Sequence, residues 1–487
     1  RVKFYVQGIN NDKFLYQANE TIIMKGYIGD MTAAVAPERE GFTALPFDQV
    51  LIEEGGRTSV DIYYQRNSYT VSFADAGAES NPAPQILKYG AKIAPIANGA
   101  KDGFEFDGWY LNGEKFNLSR DTVPAKDITL VAKYSVYLGN AGQYELYKGI
   151  ANGKPVANGD FTINVAGLGE FESVEVRANG KDFVLVEGED YTLENGVFTL
   201  KADTIKKGVY GDIAIKFTTG EDFYYVNASI ATKFIRTVAD LENLMIYGDV
   251  DEKLNYGGYF MLANNIEVNG VLANRVKGVD FSYITYNMDI NVVENPGKSW
   301  HNSFLTEGFT GIFDGKGYTI FGLEVSETEG ALFGNVSKDA TIKNLGIAEA
   351  KLIPSGDCYG LFGNEFAGKL DNCYIDVAIA SATASGNIAA IARNTANATI
   401  SNVVIKYNAN NHSGNTKFAY GYMMNNWPGY ATDKVVSNNV HLFLTDGVEL
   451  AGYASKNSDG IHWADVSGIT VYAYDEVVGG VSVYDSA

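Results

Sequence analysis

Between Ile320 and Val471 one six-residue phrase recurs: an aliphatic residue, any residue, Asn or Gly, an apolar residue, any residue, an aliphatic residue. It reads Ile320-Phe321-Gly322-Leu323-Glu324-Val325, Ile342-Lys343-Asn344-Leu345-Gly346-Ile347, Leu370-Asp371-Asn372-Cys373-Tyr374-Ile375, Ile400-Ser401-Asn402-Val403-Val404-Ile405 and Val466-Ser467-Gly468-Ile469-Thr470-Val471, with a degenerate copy near Asn439-Val440-His441-Leu442. The first four copies begin at 320, 342, 370 and 400, so they step by 22, 28 and 30 residues. A β-rich unit of that length suits one turn of a solenoid, which cannot bury its own apolar face and must stack on a neighbour.

A second phrase keeps step with the first. Ala331-Leu332-Phe333-Gly334 and Gly360-Leu361-Phe362-Gly363 precede Asn344 and Asn372 by nearly equal distances, and Ala390-Ile391-Ala392 stands at the analogous place before Asn402. Two strands per turn therefore repeat together. Stacking would bring Asn344, Asn372 and Asn402 into a column, in which side-chain amides bond along the stack and satisfy polar groups at a buried bend. The plainer reading is that Asn simply forms turns well.

Gly311-Ile312-Phe313-Asp314-Gly315-Lys316-Gly317-Tyr318-Thr319-Ile320, followed by Ala331-Leu332-Phe333-Gly334 and Ile342-Lys343-Asn344-Leu345, resembles the GLUG-type repeats of bacterial surface proteins. The family's Gly-Leu-Phe-Gly is kept at 360 to 363, whereas Ala331 stands where Gly360 does. The resemblance implies a right-handed parallel β-helix over 235–487, firmest from 311 to 405. Thr237 reads as an N-cap with Val238, Leu241 and Leu244 on one helical face, and a short helix there would cover the open first turn. Tyr259 to Val268 then reads as that turn.

Upstream, three smaller modules are expected. Residues 1–67 alternate in Val2-Lys3-Phe4-Tyr5-Val6 and Val60-Asp61-Ile62-Tyr63-Tyr64, with turn punctuation at Gly41-Phe42 and Glu54-Gly55-Gly56. Their closing Tyr63-Tyr64-Gln65-Arg66-Asn67-Ser68-Tyr69-Thr70-Val71 resembles the junction that leads into mucin-binding-like and Listeria/Bacteroides repeats of Gram-positive surface proteins, which implies a small mucin-binding-like or β-grasp-like module. Residues 68–135 carry Tyr69-Thr70-Val71-Ser72-Phe73, Phe106-Asp107-Gly108-Trp109-Tyr110 and Asp127-Ile128-Thr129-Leu130-Val131-Ala132-Lys133-Tyr134. These phrases resemble the internalin B-type, or Listeria/Bacteroides, repeat of Gram-positive surface proteins, a β-grasp-like unit. Trp109 reads as core, because so small a domain needs large aromatic side chains to fill its interior. Residues 136–234 hold about seven short strands, including an Asn195-Gly196 hairpin signal, and suit an immunoglobulin-like sandwich without the disulfide, a pattern that other sandwiches share. The whole chain is expected to be all-β.

A formal charge of −21 argues against nucleic-acid partners, which need clustered Lys and Arg. No apolar run is long enough to span a membrane, so no membrane insertion is expected. A start at Arg1 rather than Met suits a mature or excised fragment. Cys373 occupies the apolar place of Leu345 and Val403 and reads as a small core side chain. Cys358 lies in a turn, and a disulfide between the two stays an alternative.

Parallel β-helices include polysaccharide lyases and glycoside hydrolases, so catalysis must be weighed. Glycoside hydrolysis needs two carboxylates at a defined separation, and Asp314 is the most tempting, although Asp314-Gly315-Lys316-Gly317 reads better as a tight turn. His301, His412, His441 and His462 are scattered singly, which supplies no zinc signature. No catalytic residue, metal or cofactor is therefore expected. Binding has more support, since two excursions from the repeat carry Tyr283, Tyr286 and Trp300, then Tyr420, Tyr422, Trp427 and Tyr430. Aromatic side chains on loops of a rigid scaffold commonly hold sugars or partner surfaces. The reading is an extracellular, non-catalytic surface adhesin or structural segment whose stalk modules present a β-helix to a glycan or to a host or bacterial surface protein.

Overall fold

The computed structural model describes residues 1–77, 80–220, 222–251, 255–273, 308–326, 330–353, 360–380, 389–395, 398–408, 435–445, 468–478 and 481–486. The protein is all-β, and among the described residues no helix exceeds five residues. Two compact units form: residues 1–140, 166–176 and 214–227 make the first, and residues 141–165, 177–213 and 228–487 make the second.

In the first unit, two successive segments fold with one topology. Val2–Gln7 pairs parallel with Val60–Arg66 and antiparallel with Phe14–Tyr16, while Phe42–Ala44 runs antiparallel to Val60–Arg66. Ser68–Ala74 repeats the pattern: it pairs parallel with the start of Ile128–Glu145 and antiparallel with Gln85–Lys88, and Glu105–Leu111 runs antiparallel to the closing strand. The parallel partners are Val2 with Val60 and Val71 with Ile128, so both modules close a similar length of chain. Period-two alternation explains the strands: Val2, Phe4, Val60, Ile62 and Tyr64 are buried in one module, and Val71, Phe73, Ile128, Leu130, Ala132 and Tyr134 in the other. Trp109 is 2 % exposed and packs edge-on against Phe73 and Phe106, with centroids 5.2 and 5.7 Å away, as a core residue should.

Asn-Gly governs the hairpins. Asn195 and Gly196 have φ of 51° and 75°, the left-handed pair that a type I′ turn demands, and Glu194 faces Val197 across it. Asn112-Gly113, Asn152-Gly153 and Asn179-Gly180 adopt the same signs, so three further hairpins carried a legible signal that the strand pattern alone did not single out.

The second unit ends in a parallel solenoid with three strand columns. One column runs Lys233–Ile235, Tyr259–Leu262, Ile312–Asp314 and Thr341–Lys343, and continues in the first halves of Lys369–Ile379 and Thr399–Asn408. The next runs Ile266–Val271, Thr319–Val325 and Gly346–Leu352, and continues in the second halves of the same two long strands. The third runs Asn255–Tyr256, Gly308–Phe309, Asn335–Val336, Gly363–Phe366 and Ala392–Thr395. Val436–Leu444 and Ile469–Val478 stack on the end, and Val481–Ser486 folds back antiparallel. The interior is a set of aliphatic columns: Phe313, Ile342, Leu370 and Ile400 in one, and Ile320, Ile347, Ile375, Ile405 and Leu442 in another, all fully buried. Leu332, Leu361 and Ala390 hydrogen-bond in succession, as do Phe333, Phe362 and Ile391.

The register corrects the phase of the first repeat. Ile320 stacks on Ile347, not on Ile342, whose neighbour is Phe313. The turns therefore step by 29 (313 to 342), 28 (342 to 370) and 30 (370 to 400) residues, without a short step of 22. Both strands of a turn bury alternate residues, so either one satisfies an aliphatic-apolar-aliphatic phrase. Gly322, with φ of 64°, belongs to a different left-handed column together with Asn269 and Glu349.

At the head of the solenoid, Thr237 caps Val238–Glu242 through a reciprocal capping box with Asp240. Leu241, Leu244, Met245 and Tyr247 from this short helical stretch enter the same apolar core as Phe260, Leu262 and Ile266.

Candidate functional site

The aromatic residues that the sequence singles out for binding, Tyr286, Trp300, Tyr420, Trp427 and Tyr430, lie outside the described residues, as do Tyr283, Tyr422, Cys358, His301, His412 and His462. What is described is the scaffold that carries those excursions, including one outward edge lined with polar side chains.

That edge is built on the bend between the first two strand columns. Asn344, Asn372, Asn402 and Asn439 all have φ between 53° and 55°, a conformation that Asn tolerates better than other side chains. Asn372 Nδ2 donates to Asn344 Oδ1 at 2.8 Å, and Asn344 Nδ2 donates to Asp314 Oδ1 at 3.0 Å. Asn402 Nδ2 turns instead to Asp371 Oδ1 at 2.9 Å, and Asn439 Nδ2 donates to Asn402 Oδ1 at 3.0 Å. The amide column is thus two short runs, each ended by a carboxylate. The repeat pattern predicts a buried bend, but Asn372, Asn402 and Asn439 are exposed. A left-handed corner points its short side chain away from the core, so the interior is closed by the flanking aliphatic residues.

The second run continues outward. His441 Nε2 lies 2.9 Å from Asn439 Oδ1, and His441 Nδ1 lies 3.1 Å from the Tyr472 hydroxyl. The Tyr472 ring stacks on Phe443 at 4.5 Å with planes 8° apart. On the same strands Lys406 pairs with Asp376 at 3.3 Å, Asn408 also donates to Asp376, and Tyr374 is 41 % exposed. Amides, carboxylates, an imidazole and flat rings therefore share one rigid edge. Such a set can offer hydrogen bonds together with an apolar platform to a polyhydroxylated ligand.

Asp314 is 4 % exposed and fully engaged. It accepts from the Lys316 amide at 3.0 Å, from the Tyr259 hydroxyl at 3.0 Å and from Asn344, and Lys343 Nζ stands 3.4 Å away. The Lys316 bond is that of an Asx turn. Burial first, then the charge of Asp314, pushes the Tyr259 hydroxyl well above its ordinary range. These contacts lock the corner. Cys373 is buried and free, and burial pushes its thiol up to about 12, which makes it unreactive near neutral pH.

Near the head of the solenoid, Glu145 Oε1 meets Lys233 Nζ at 2.8 Å, while Oε2 meets Arg236 Nη1 at 2.9 Å and accepts from the Phe234 amide at 3.1 Å. Burial acts to raise the Glu145 carboxyl, but the bonds from Lys233, Arg236 and Phe234 outweigh it and hold the group below the usual range. Among the described residues no group of three or more His, Cys, Asp or Glu is arranged to hold a metal ion. Among them, too, no helix is long and apolar enough to cross a membrane.

With this geometry in hand, comparison with known families adds one match. Residues 69–133 fit the model of the Listeria-Bacteroides repeat domain. The match spans the second module of the first unit, from its first strand to its closing strand, and that repeat is one found in surface proteins.

Proposed function

We propose that the chain is a non-catalytic segment of a bacterial cell-surface adhesin, of Gram-positive type, in which small spacer modules precede a GLUG-type right-handed β-helix that binds a glycan or a surface protein. The observation that carries this reading is the Listeria-Bacteroides repeat at 69–133, since such repeats occur in surface proteins. The parallel solenoid supports it by supplying a rigid edge on which amides, carboxylates and stacked rings keep a fixed register. Fold alone does not assign function, so the binding claim rests on the site and its test.

The test is a panel of host and dietary glycans and of surface-protein preparations, assayed with the whole chain for binding and for release of reducing ends. Saturable binding without turnover is the expected result. Turnover of a polysaccharide would replace the adhesin reading with that of a lyase or glycoside hydrolase.

A further inference from the structure

The two modules of the first unit share more than strand order. In each, a basic residue opens a tight turn that ends in Gly-Phe: Phe42 N–H donates to Arg39 C=O at 3.1 Å, and Phe104 N–H donates to Lys101 C=O at 3.0 Å. Gly41 and Gly103 hold φ of 75° and 78°. The opening cation lies over a tyrosine of the closing strand in both modules, Arg39 over Tyr64 at 4.8 Å and Lys101 over Tyr134 at 5.7 Å. The matched family covers only 69–133, yet residues 1–67 reproduce its strand pairing and this turn. The two modules therefore share one topology and one turn.

Both turns also engage the next segment of the chain in the same way. Phe42 meets the edge of Tyr89, in the next module, with centroids 5.8 Å apart and planes at 81°, and the Arg66 guanidinium covers the Phe42 ring at 4.6 Å. Phe104 meets Tyr224, beyond the matched module, at 6.2 Å and 67°, and the Lys101 ammonium covers the Phe104 ring at 4.4 Å. Each joint thus has one phenylalanine, one cation on its face and one tyrosine supplied from downstream. We propose that the Gly-Phe turn is a recurring docking knuckle, a surface that couples each grasp-like module to a tyrosine of the segment after it.

The first joint is backed by main-chain bonds. Asn67 N–H donates to Gly41 C=O at 2.9 Å, Tyr89 N–H donates to Asn67 C=O at 2.8 Å, and Arg66 Nη1 donates to Tyr89 C=O at 2.8 Å. Lys88 adds an ion pair to Asp12 at 3.0 Å. A side chain on Gly41 would collide with the Tyr89 ring, 2.2 Å from the added carbon, whereas nothing lies within 4 Å of one on Gly103. The second joint carries the Lys101–Asp222 ion pair and a further ring pair, Tyr110 with Phe223 at 5.5 Å.

The linker itself offers the readout, because trypsin cuts after Arg66 only when the joint opens, and cleavage of a transiently open state follows its population. In the full chain, Tyr89→Ala should raise nicking after Arg66 about tenfold, the factor for loss of about 1.4 kcal/mol of aromatic contact with Phe42. Gly41→Ala should do likewise. Gly103→Ala, with the same backbone strain and no collision at the joint, should leave nicking at Arg66 unchanged. Hydrogen exchange in 128–135 should stay protected in Tyr89→Ala, since that ring lies outside the module core. Unchanged nicking in both Tyr89→Ala and Gly41→Ala would overturn the knuckle, as would loss of protection in 128–135 to the same degree. In Tyr224→Ala, exchange around 101–104 should rise while Arg66 stays protected, and no rise there would reduce the proposal to a single accidental contact.

Discussion

The two small modules of the first unit and the solenoid solve one problem, covering an apolar sheet face, by opposite means. Each module closes on itself: its first strand must find its last across nearly sixty residues, and one aromatic cluster around Trp109 or Tyr64 fills the space between. The solenoid never closes. Each turn covers the one before it, so the cost of ordering is met locally and the same aliphatic column runs through every turn. A module thus concentrates its stability in a few large side chains, whereas the solenoid spreads it over many small ones.

Trp109→Ala should give the largest effect. Truncating a buried tryptophan costs about 3 to 5 kcal/mol, which is most of what a module of this size holds. Hydrogen exchange should rise throughout 68–135 and stay unchanged in Ile342, Leu370 and Ile400. Trp109 Nε1 has no hydrogen-bond partner, so Trp109→Phe should cost less than Trp109→Ala. Equal loss in the solenoid would show that the two regions do not divide stability in this way.

The Glu145 cluster adds a set of charged contacts near the head of the solenoid, and pH tests their contribution. Its carboxyl is held below the ordinary value of 4.5, so its contribution is fully present above that pH and fades as pH falls through the folded-state value. Acidification below about pH 4.5 should thus loosen Lys233–Ile235 first. Glu145→Gln would leave Lys233, with its side chain 7 % exposed, without its charge partner, and should cost about 1 to 3 kcal/mol, less than for a fully buried pair because Arg236 is more open to water. A flat pH profile for exchange at 233–235 that matches that of the Gln variant would remove this role.

Legibility divides along the same line. Periodic interior residues made the solenoid readable, since an aliphatic phrase repeated every 28 to 30 residues suits a stack of turns and little else. Its phase was not readable at Ile320, because alternation is common to both strands of a turn. The shared topology of residues 1–67 and 68–135 was legible only as a β-grasp-like expectation for both. It lies in strand pairing and in a turn whose only shared letters are Gly-Phe, and the core residues differ, Tyr64 and Phe4 against Trp109 and Phe73. At the candidate site, the Asn positions were readable from their constant offset. Their exposure was not, since a left-handed corner and a buried bend favour the same residue.

That ambiguity sets the smallest and sharpest prediction. Asn372 serves two ends, a backbone at φ of 53° and an amide bond to Asn344. Leucine at such a position costs about 1 to 2 kcal/mol in backbone strain, and the bond adds about 0.5 kcal/mol at an exposed site. Asn372→Leu should therefore lower local stability by about 2 kcal/mol, read as faster exchange in Lys369–Ile379. Asn372→Gly accepts the backbone and loses only the bond, so it should cost about 0.5 kcal/mol. If glycine proves as costly as leucine, the amide run carries the corner and the solenoid has a polar spine. If leucine is tolerated, neither the backbone nor the amide matters, and the repeat of Asn at this offset would need another cause.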